Sequence, residues 1–139
     1  SNPMAEGARK RRPVFASRQA VIEAYRERRI FANWQPRALE LYAQAGFRDR
    51  PDGQVELKCA GEVEAAVFSR AASLDPFPEA RALGVPGLLL HAERGDFAIE
   101  SYRQLAAQSA WLRVESLASG HLAPMIDPAL VAERLRAFS

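Results

Sequence analysis

The sequence has 139 residues, of which 48% are hydrophobic and 26% are charged, so it is long enough for one globular domain and typical of a soluble one. Its formal net charge of +2 does not require an acidic partner, and no apolar run resembles a signal peptide or approaches the ~20 residues of a membrane helix, so we expect neither nucleic-acid nor membrane binding. The single cysteine, Cys59, excludes an internal disulfide and fits a cytoplasmic location, and the two histidines, His91 and His121, form no metal-ligand pattern, so no cofactor is expected.

Residues 1–83 are predicted to form mainly helices. Ser17 suits the N-cap of a helix over residues 18–29, because its hydroxyl can accept a hydrogen bond from a free backbone N–H. A second helix is predicted over residues 36–45, with a proline in its first turn and Gly46 as its stop. The apolar residues of each helix fall on one face, so we expect the two helices to pack together.

Polar turns separate these helices from the rest of the region. Residues 50–53 read Arg-Pro-Asp-Gly, a turn sequence in which proline presets one position and glycine supplies a positive φ. A short extended piece over residues 55–57 and a third helix over residues 62–72 follow, and the proline-rich residues 75–78 break the chain. The region is therefore expected to consist of helical hairpins joined by polar turns.

The pattern changes to alternating strands and helices over residues 84–139. Residues 85–92 are almost continuously apolar, which is typical of a parallel strand that is covered on both faces. The order strand, helix, strand, helix predicts parallel pairing with a right-handed crossover. The later elements predicted here are a helix over residues 98–108, a strand over residues 111–117, a loop over residues 118–128 and a helix over residues 129–138.

Residues 119–131 read Ser-Gly-His-Leu-Ala-Pro-Met-Ile-Asp-Pro-Ala-Leu-Val. This segment resembles the catalytic-histidine loop of the α/β-hydrolase family, in which glycine-histidine precedes a short apolar link and an acid-proline pair that opens the last helix. Residues 86–96 look like the family's penultimate core strand and the loop that often holds the acid of its triad. The resemblance implies an α/β fold in which this chain is the C-terminal half: a helical cap over residues 1–83, then two parallel strands with flanking helices in an incomplete sheet over residues 84–139.

The same resemblance assigns roles to two residues. His121 would be the general base of an ester-hydrolysing triad of the Ser-His-Asp type, and Asp96 would be the acid that orients it. Glu93 is an alternative acid in the same loop, and in some members of the family the acid lies on an earlier strand. The nucleophile elbow, glycine-any-serine-any-glycine, does not occur in the 139 residues. A missing N-terminal half or a second polypeptide would therefore supply the serine, and the substrate would be small, apolar and ester-like.

Each of these residues also has a structural explanation. A surface histidine without a role is the alternative for His121, and a helix cap is the alternative for Asp96. His91 lies on the apolar strand, where a core histidine bonded to backbone is expected, and Cys59 is expected to be a small buried hydrophobe. The basic run over residues 9–12 is expected to be a solvated helix face or to lie beside an acidic surface.

Five aromatic residues flank the first two predicted helices. Most of them should form the core of that region, and one or two are expected to line a substrate pocket. They are Tyr25, Phe31, Trp34, Tyr42 and Phe47.

Two classes of function fit the sequence. The first is an enzyme portion that is active only when joined to its missing half, and the second is a non-catalytic binding or interaction module that keeps the hydrolase shape. A piece of a longer polypeptide is a third explanation. In every case Leu88, Leu89 and Leu90 need cover on both faces and both edges of the sheet, so we expect the chain to associate with a second polypeptide or with itself.

Overall fold

The computed structural model describes residues 2–71 and 73–138 of the chain. Its internal contacts divide the chain into two compact units, Ser1–Leu74 and Asp75–Ser139, which we call unit 1 and unit 2. Among the described residues, no helix combines the length and the apolar character that crossing a membrane requires.

Unit 1 combines helices with a small antiparallel sheet, so the expectation of helical hairpins alone is wrong. Its elements are α1 (Pro3–Arg9), β1 (Val14–Phe15), α2 (Arg18–Arg26), α3 (Pro36–Gly46), β2 (Phe47–Asp49), β3 (Val55–Leu57) and α4 (Gly61–Ala71). The sheet has the strand order β1-β3-β2, with Val14 opposite Glu56 and Phe47 opposite Leu57. Only β3 was expected from the sequence, because its Val-Glu-Leu alternates, whereas β1 (Val-Phe) and β2 (Phe-Arg-Asp) do not show apolar-polar-apolar alternation.

A tight turn joins β2 to β3, as the sequence predicted. The amide of Gly53 donates to the carbonyl of Arg50 at 3.0 Å, and Gly53 has a φ of 80°. The carboxylate of Asp52 accepts a hydrogen bond from the amide of Gln54 at 3.0 Å. Glycine is needed here because a side chain would be strained at a positive φ.

Helix α2 begins as predicted and ends earlier than predicted. The hydroxyl of Ser17 accepts a hydrogen bond from the amide of Ala20 at 3.1 Å, which confirms the N-cap. The helix ends at Arg26, and a 3₁₀ turn over Arg29–Phe31 replaces its last predicted turn. The tighter turn stacks Phe31 on the ring of Tyr25, with 4.7 Å between ring centroids. Burial of Phe31 therefore decides where the helix stops.

The core of unit 1 is aromatic. Tyr25, Phe15 and Phe47 are at most 1% exposed, and Phe15 meets the other two rings edge to face at 5.8 Å. Phe31, Trp34 and Tyr42 are half-buried and pack against this cluster, so the predicted packing of α2 on α3 is confirmed. Further fully or nearly buried members are Val21, Leu39, Ala43, Val55 and Leu57.

Helix α1, which the sequence did not predict, packs on α4 through small residues. Ala5, Ala8 and Ala65 are at most 4% exposed. A Cβ on Gly61 would overlap the carbonyl oxygen of Ala8, so the two backbones approach too closely for any larger residue. The side chain of Asn2 caps α1 and donates to the carbonyl of Phe68 at 3.0 Å. The last residue of the predicted helix 62–72, Ala72, lies outside the described residues.

The basic run meets acidic residues of its own chain. Arg9 pairs with Glu62 at 3.1 Å and joins α1 to α4, and Arg11, just after α1, pairs with Glu64 of α4 at 2.5 Å. Cys59 is exposed, and the expectation that it is buried is wrong. The reason is its position in the polar connection between β3 and α4, where no core surface covers it.

Unit 2 is built around two parallel strands. Its elements are α5 (Phe77–Ala82), β4 (Gly87–Arg94), α6 (Ile99–Ala106), β5 (Leu112–Gly120), α7 (Ala123–Ile126) and α8 (Pro128–Phe138). Gly87 lies opposite Leu112 and Ala92 lies opposite Leu117, so the predicted parallel pairing is confirmed. Helix α6 connects the strands and packs on both of them.

Several boundaries in unit 2 differ from the predictions, and the loop predicted over residues 118–128 contains α7. Residues 75–78 were expected to break the chain, but they start α5, because prolines fit the first turn of a helix and the carboxylate of Asp75 accepts from the amide of Phe77 at 3.0 Å. Strand β4 continues to Arg94 and β5 to Gly120, two and three residues beyond their predicted ends. Both extensions are polar or small, and pairing between the strands sustains them.

The sheet of unit 2 has two strands in the described part of the chain, so each strand has one edge without a partner strand. Leu88, Leu89 and Leu90 are only half-buried. Unpaired N–H and C=O groups beside a half-covered apolar strand favour the addition of another strand. Within the described part of this chain, these three leucines therefore lack part of the cover that the sequence analysis expected.

Candidate functional site

The two loops with sequence-predicted site residues meet at one edge of the sheet in unit 2. Because β4 and β5 are parallel, their carboxyl ends lie side by side, and Arg94 is opposite Gly120. The guanidinium of Arg94 donates to the carbonyl of Ala118 at 2.8 Å. We call residues 95–98 the acid loop and residues 121–122 the histidine turn. Open α/β sheets place their reactive groups at this carboxyl end of their strands.

Gly95 allows the acid loop to approach the histidine turn. Its amide donates to the carbonyl of Ala92 at 2.9 Å, which closes a tight turn after β4. A Cβ at this position would lie 3.0 Å from the carbonyl oxygen of Ala92 and 3.6 Å from the Cα of His121. The acid loop therefore passes close to the histidine turn, and glycine at position 95 avoids a tight contact with Ala92.

His121 presents an exposed imidazole at this edge. The ring centroid of Phe97, in the acid loop, lies 5.5 Å from that of His121, with 50° between the ring planes. His121 also borders a cavity of about 180 Å³. Other residues that line the cavity are Leu90, Ala92, Leu117, Ala123, Pro124 and Val131.

The acid-proline pair after the histidine turn has a structural role. The carboxylate of Asp127 accepts a hydrogen bond from the amide of Leu130 at 3.0 Å and so caps α8, which begins at Pro128. The short α7 lies between this cap and the histidine turn. His121 is therefore held between the end of β5 and two anchored helices.

Asp96 lies in the acid loop with an exposed side chain. Within residues 2–71 and 73–138, no hydrogen bond joins Asp96 to His121, and the N-cap residue of α6 is Ala98, whose side chain makes no capping hydrogen bond. The structure thus brings the two loops together without forming the acid-histidine contact, and Asp96 does not cap α6. The alternative acid, Glu93, is exposed on β4, at the irregularity between Ala92 and Arg94.

His91 is a core histidine bonded to backbone, as the sequence predicted. It is 7% exposed, and its Nε2 lies 2.9 Å from the carbonyl oxygen of Phe97. A carbonyl only accepts, so Nε2 carries the hydrogen, while Nδ1 is buried without a partner in the described part of the chain. The ring of Tyr102 meets the imidazole edge to face at 5.1 Å.

A second, apolar cavity of about 350 Å³ lies beside the acid loop. Phe97 and Tyr102 line it together with Leu89 of β4. Phe97 therefore touches the candidate base, the buried histidine and this cavity, yet the sequence analysis did not single it out. Its only signal in the sequence is a large apolar residue directly after the candidate acid.

The strongest electrostatic perturbation lies in unit 1. Burial alone would lower the pKa of Arg11, but hydrogen bonds to Tyr25, Glu64 and Tyr42 outweigh it and raise this pKa above its ordinary value. Burial raises the pKa of Tyr42, and the bond from Arg11 offsets only part of that rise. This cluster joins α2, α3 and α4 and has a structural role. No group of three or more metal-ligating side chains occurs among the residues described.

Comparisons with known proteins bear on the fold of the chain. No protein-family model matches the sequence, and no curated protein is significantly similar to it. A solved structure of E-2-(acetamidomethylene)succinate hydrolase has a TM-score of 0.76 at 17% identity, over 99% of this chain and 52% of that one. A peroxisomal α/β-hydrolase from Saccharomyces cerevisiae has a TM-score of 0.78 at 14% identity, over 99% of this chain and 38% of that one.

A thioesterase domain from the curacin biosynthetic pathway is also similar, with a TM-score of 0.65 at 12% identity over 97% of this chain and 50% of that domain. The chain thus spans about half the length of these structures, or less. These likenesses show the fold: the chain has the architecture of the C-terminal part of an α/β-hydrolase, as the histidine segment implied.

Proposed function

Starting from this fold, we propose that the chain supplies the base and the acid of a hydrolase active site, whose serine nucleophile lies outside these 139 residues. The observation that carries the proposal is the approach of the acid loop to the histidine turn, in which the ring centroids of Phe97 and His121 lie 5.5 Å apart. The exposed imidazole lies at the carboxyl edge of parallel strands, where a nucleophile from a neighbouring strand can reach it. The reaction class is hydrolysis of a small, apolar ester or a related bond.

In this mechanism His121 moves the proton. A serine hydroxyl attacks the carbonyl carbon while the imidazole takes its proton, and the imidazolium then gives that proton to the leaving group. A water molecule repeats the cycle on the acyl-enzyme. Asp96 accepts a hydrogen bond from the other ring nitrogen and stabilises the imidazolium. We assign this role to Asp96 rather than to Glu93, because Asp96 lies in the loop that packs against His121.

The sheet of unit 2 indicates what completes the site. The edge of β4 without a partner strand and the half-buried leucines at positions 88–90 fit further parallel strands. We propose that these strands belong to an N-terminal half or a second polypeptide that carries the serine elbow, and that unit 1 is the cap of the complete enzyme. Intact-mass measurement of the purified assembly tests this, because a lone, compact monomer of 15.4 kDa would rule it out.

A non-catalytic binding module is the competing function. It is favoured by the absence of a glycine-any-serine-any-glycine elbow from the sequence and by the apolar cavity of about 350 Å³ in unit 2. Such a module would bind a small apolar molecule, and replacing His121 would leave that binding unchanged. The two functions therefore differ in the consequence of a single substitution.

The deciding experiment measures turnover of a chromogenic ester by the complete protein. We expect His121→Ala to lower kcat by about 10⁴-fold, in line with the loss of other triad members. Asp96→Asn should also lower kcat, whereas Glu93→Gln, an equally exposed carboxylate, serves as the matched control and should not. Unchanged turnover in His121→Ala would remove His121 from the mechanism. Equal and small effects of the two carboxylate variants would place the acid on another strand.

A further inference from the structure

The second histidine of the chain is connected to the candidate site through one residue. His91 lies on β4, 7% exposed, and its Nε2–H donates to the carbonyl of Phe97 at 2.9 Å. The side chain of Phe97 points to the other histidine, with 5.5 Å between the ring centroids of Phe97 and His121. The carbonyl of Phe97 thus binds one histidine, while its ring contacts the other.

We propose that His91 is a positioning residue that fixes the acid loop, and through it the orientation of Asp96 and His121. This inference rests on the proposed function for its catalytic consequence. The loop is tied at both ends: the amide of Gly95 donates to Ala92 at 2.9 Å, and the carbonyl of Phe97 accepts from His91. Asp96 lies between the two tied residues. No other side chain in the described part of the chain donates to the loop backbone.

The choice of histidine at position 91 follows from this role. A buried apolar residue would fill the same space but would leave the carbonyl of Phe97 without a donor. The ring is held rigidly because Tyr102 packs edge to face against it at 5.1 Å and because it has only two side-chain dihedrals. A short, rigid donor on a core strand gives a loop a fixed reference point, which catalysis by oriented groups requires.

Two substitutions at position 91 test whether the hydrogen bond to Phe97, and not the bulk of the imidazole, holds the acid loop. In His91→Gln the side-chain amide nitrogen can take the place of Nε2, whereas in His91→Asn it is one bond too short to reach Phe97. Both variants keep a buried amide of similar polarity, so a general loss of stability affects them alike.

The expected result is a split between these variants. In the complete protein, His91→Asn should lower kcat for a chromogenic ester by about tenfold at unchanged KM, because misplaced groups slow the chemical step. His91→Gln should retain most of the wild-type kcat. Equal losses in the glutamine and asparagine variants, or no loss in either, would overturn the positioning role.

Amide hydrogen exchange tests the inference independently of catalysis. The amides of the acid loop should exchange faster in His91→Asn than in the wild type, and at the wild-type rate in His91→Gln. If the wild-type protein hydrolyses no ester, the proposed function fails, while the exchange comparison still decides whether His91 holds the loop. Unchanged exchange in His91→Asn would show that it does not.

Discussion

Phe97 lies with its ring 5.5 Å from the imidazole of His121, inclined by 50°, while its own carbonyl is bound by the buried His91. The two histidines of the chain therefore occupy opposite environments on either side of one residue. His121 is exposed and has its nitrogens available, whereas His91 is buried and uses Nε2 in a hydrogen bond. This difference can be measured directly.

We predict that diethyl pyrocarbonate, which acylates accessible unprotonated imidazole, modifies His121 and spares His91 in the native protein. The reason is that His91 is 7% exposed and its Nε2 donates to a carbonyl. Mass spectrometry of the two peptides after brief treatment gives the extent of each modification. In denaturant both should react equally. Native modification of the two histidines at similar rates would contradict the burial of His91.

Gly95→Ala should destabilise unit 2 and lower any turnover of the complete protein. The new Cβ would lie 3.0 Å from the carbonyl oxygen and 3.2 Å from the Cβ of Ala92, so the acid loop must shift by a few tenths of an ångström. We expect a loss of about 1 kcal/mol in the free energy of unfolding, measured by denaturant titration. Gly84→Ala is the matched control, because nothing lies within 4 Å of its Cβ position. Equal effects at the two glycines would mean that the close approach is unimportant.

Arg11→Met should destabilise unit 1 strongly. Arg11 donates to Glu64 at 2.5 Å, to the hydroxyl of Tyr42 at 2.7 Å and to that of Tyr25 at 3.1 Å, and its removal leaves these partly buried groups without a partner. The free energy of unfolding should fall by about 2 kcal/mol, and thermal and urea unfolding measure it.

Arg9→Met provides the comparison for Arg11. Arg9 also pairs with a glutamate of α4, but the two side chains are 46% and 77% exposed, so the pair is screened by water. Its loss should cost below about 1 kcal/mol. A larger effect at Arg9 than at Arg11 would contradict the assignment of Arg11 as the central tie of unit 1.

Acid should weaken unit 1 through Glu56. Arg48, and then Arg50, hold the pKa of this carboxyl below its ordinary value by hydrogen bonding to the charged form. A carboxyl whose pKa is lower in the folded state stabilises the fold at pH above its ordinary pKa, and this contribution is lost as the pH falls through the folded-state pKa. Thermal midpoints between about pH 6 and pH 3 should therefore drop less steeply in Glu56→Gln. Parallel curves for variant and wild type would exclude this cause.

The sequence predicted the long elements of unit 2 well. Residues 85–92 are so uniformly apolar that only a covered strand explains them, and β4 pairs in parallel with β5 as expected. The ends of these strands were missed because Arg94 and Gly120 are not hydrophobic, and pairing across the strands keeps them extended. Hydrophobic pattern therefore locates the middle of a strand, whereas its end depends on the neighbouring strand.

The short elements of the fold could not be predicted. Strands β1 (Val-Phe) and β2 (Phe-Arg-Asp) lack the apolar-polar-apolar alternation that β3 (Val-Glu-Leu) shows. Helix α1 begins at Pro3, and α5 has Pro76 and Pro78 on either side of its first residue. A proline breaks a helix in its interior but fits the first turn, so its presence alone allows two interpretations. Asn2 and Asp75 decide between these two interpretations, because each accepts hydrogen bonds from the first amides.

The candidate site was predicted only through a resemblance. The glycine-histidine segment placed His121 at the end of a strand, and the structure places it there. The bond from His91 to Phe97 could not be anticipated, because a sequence does not show which carbonyl a buried imidazole meets. The acid remains a prediction, since Asp96 is exposed and its side chain has many accessible positions.

The packing of α1 on α4 also affects how the chain folds during synthesis. Asn2 binds the carbonyl of Phe68, 66 positions later, and Ala5 and Ala8 stay uncovered until Ala65 arrives. Closing a loop of this length costs chain entropy, and the contacts that offset this cost form only when α4 packs on α1. Helix α1 can therefore pack on α4 only after most of unit 1 has been synthesised. We expect the alanine and glycine contacts at this crossing to form late in the folding of unit 1.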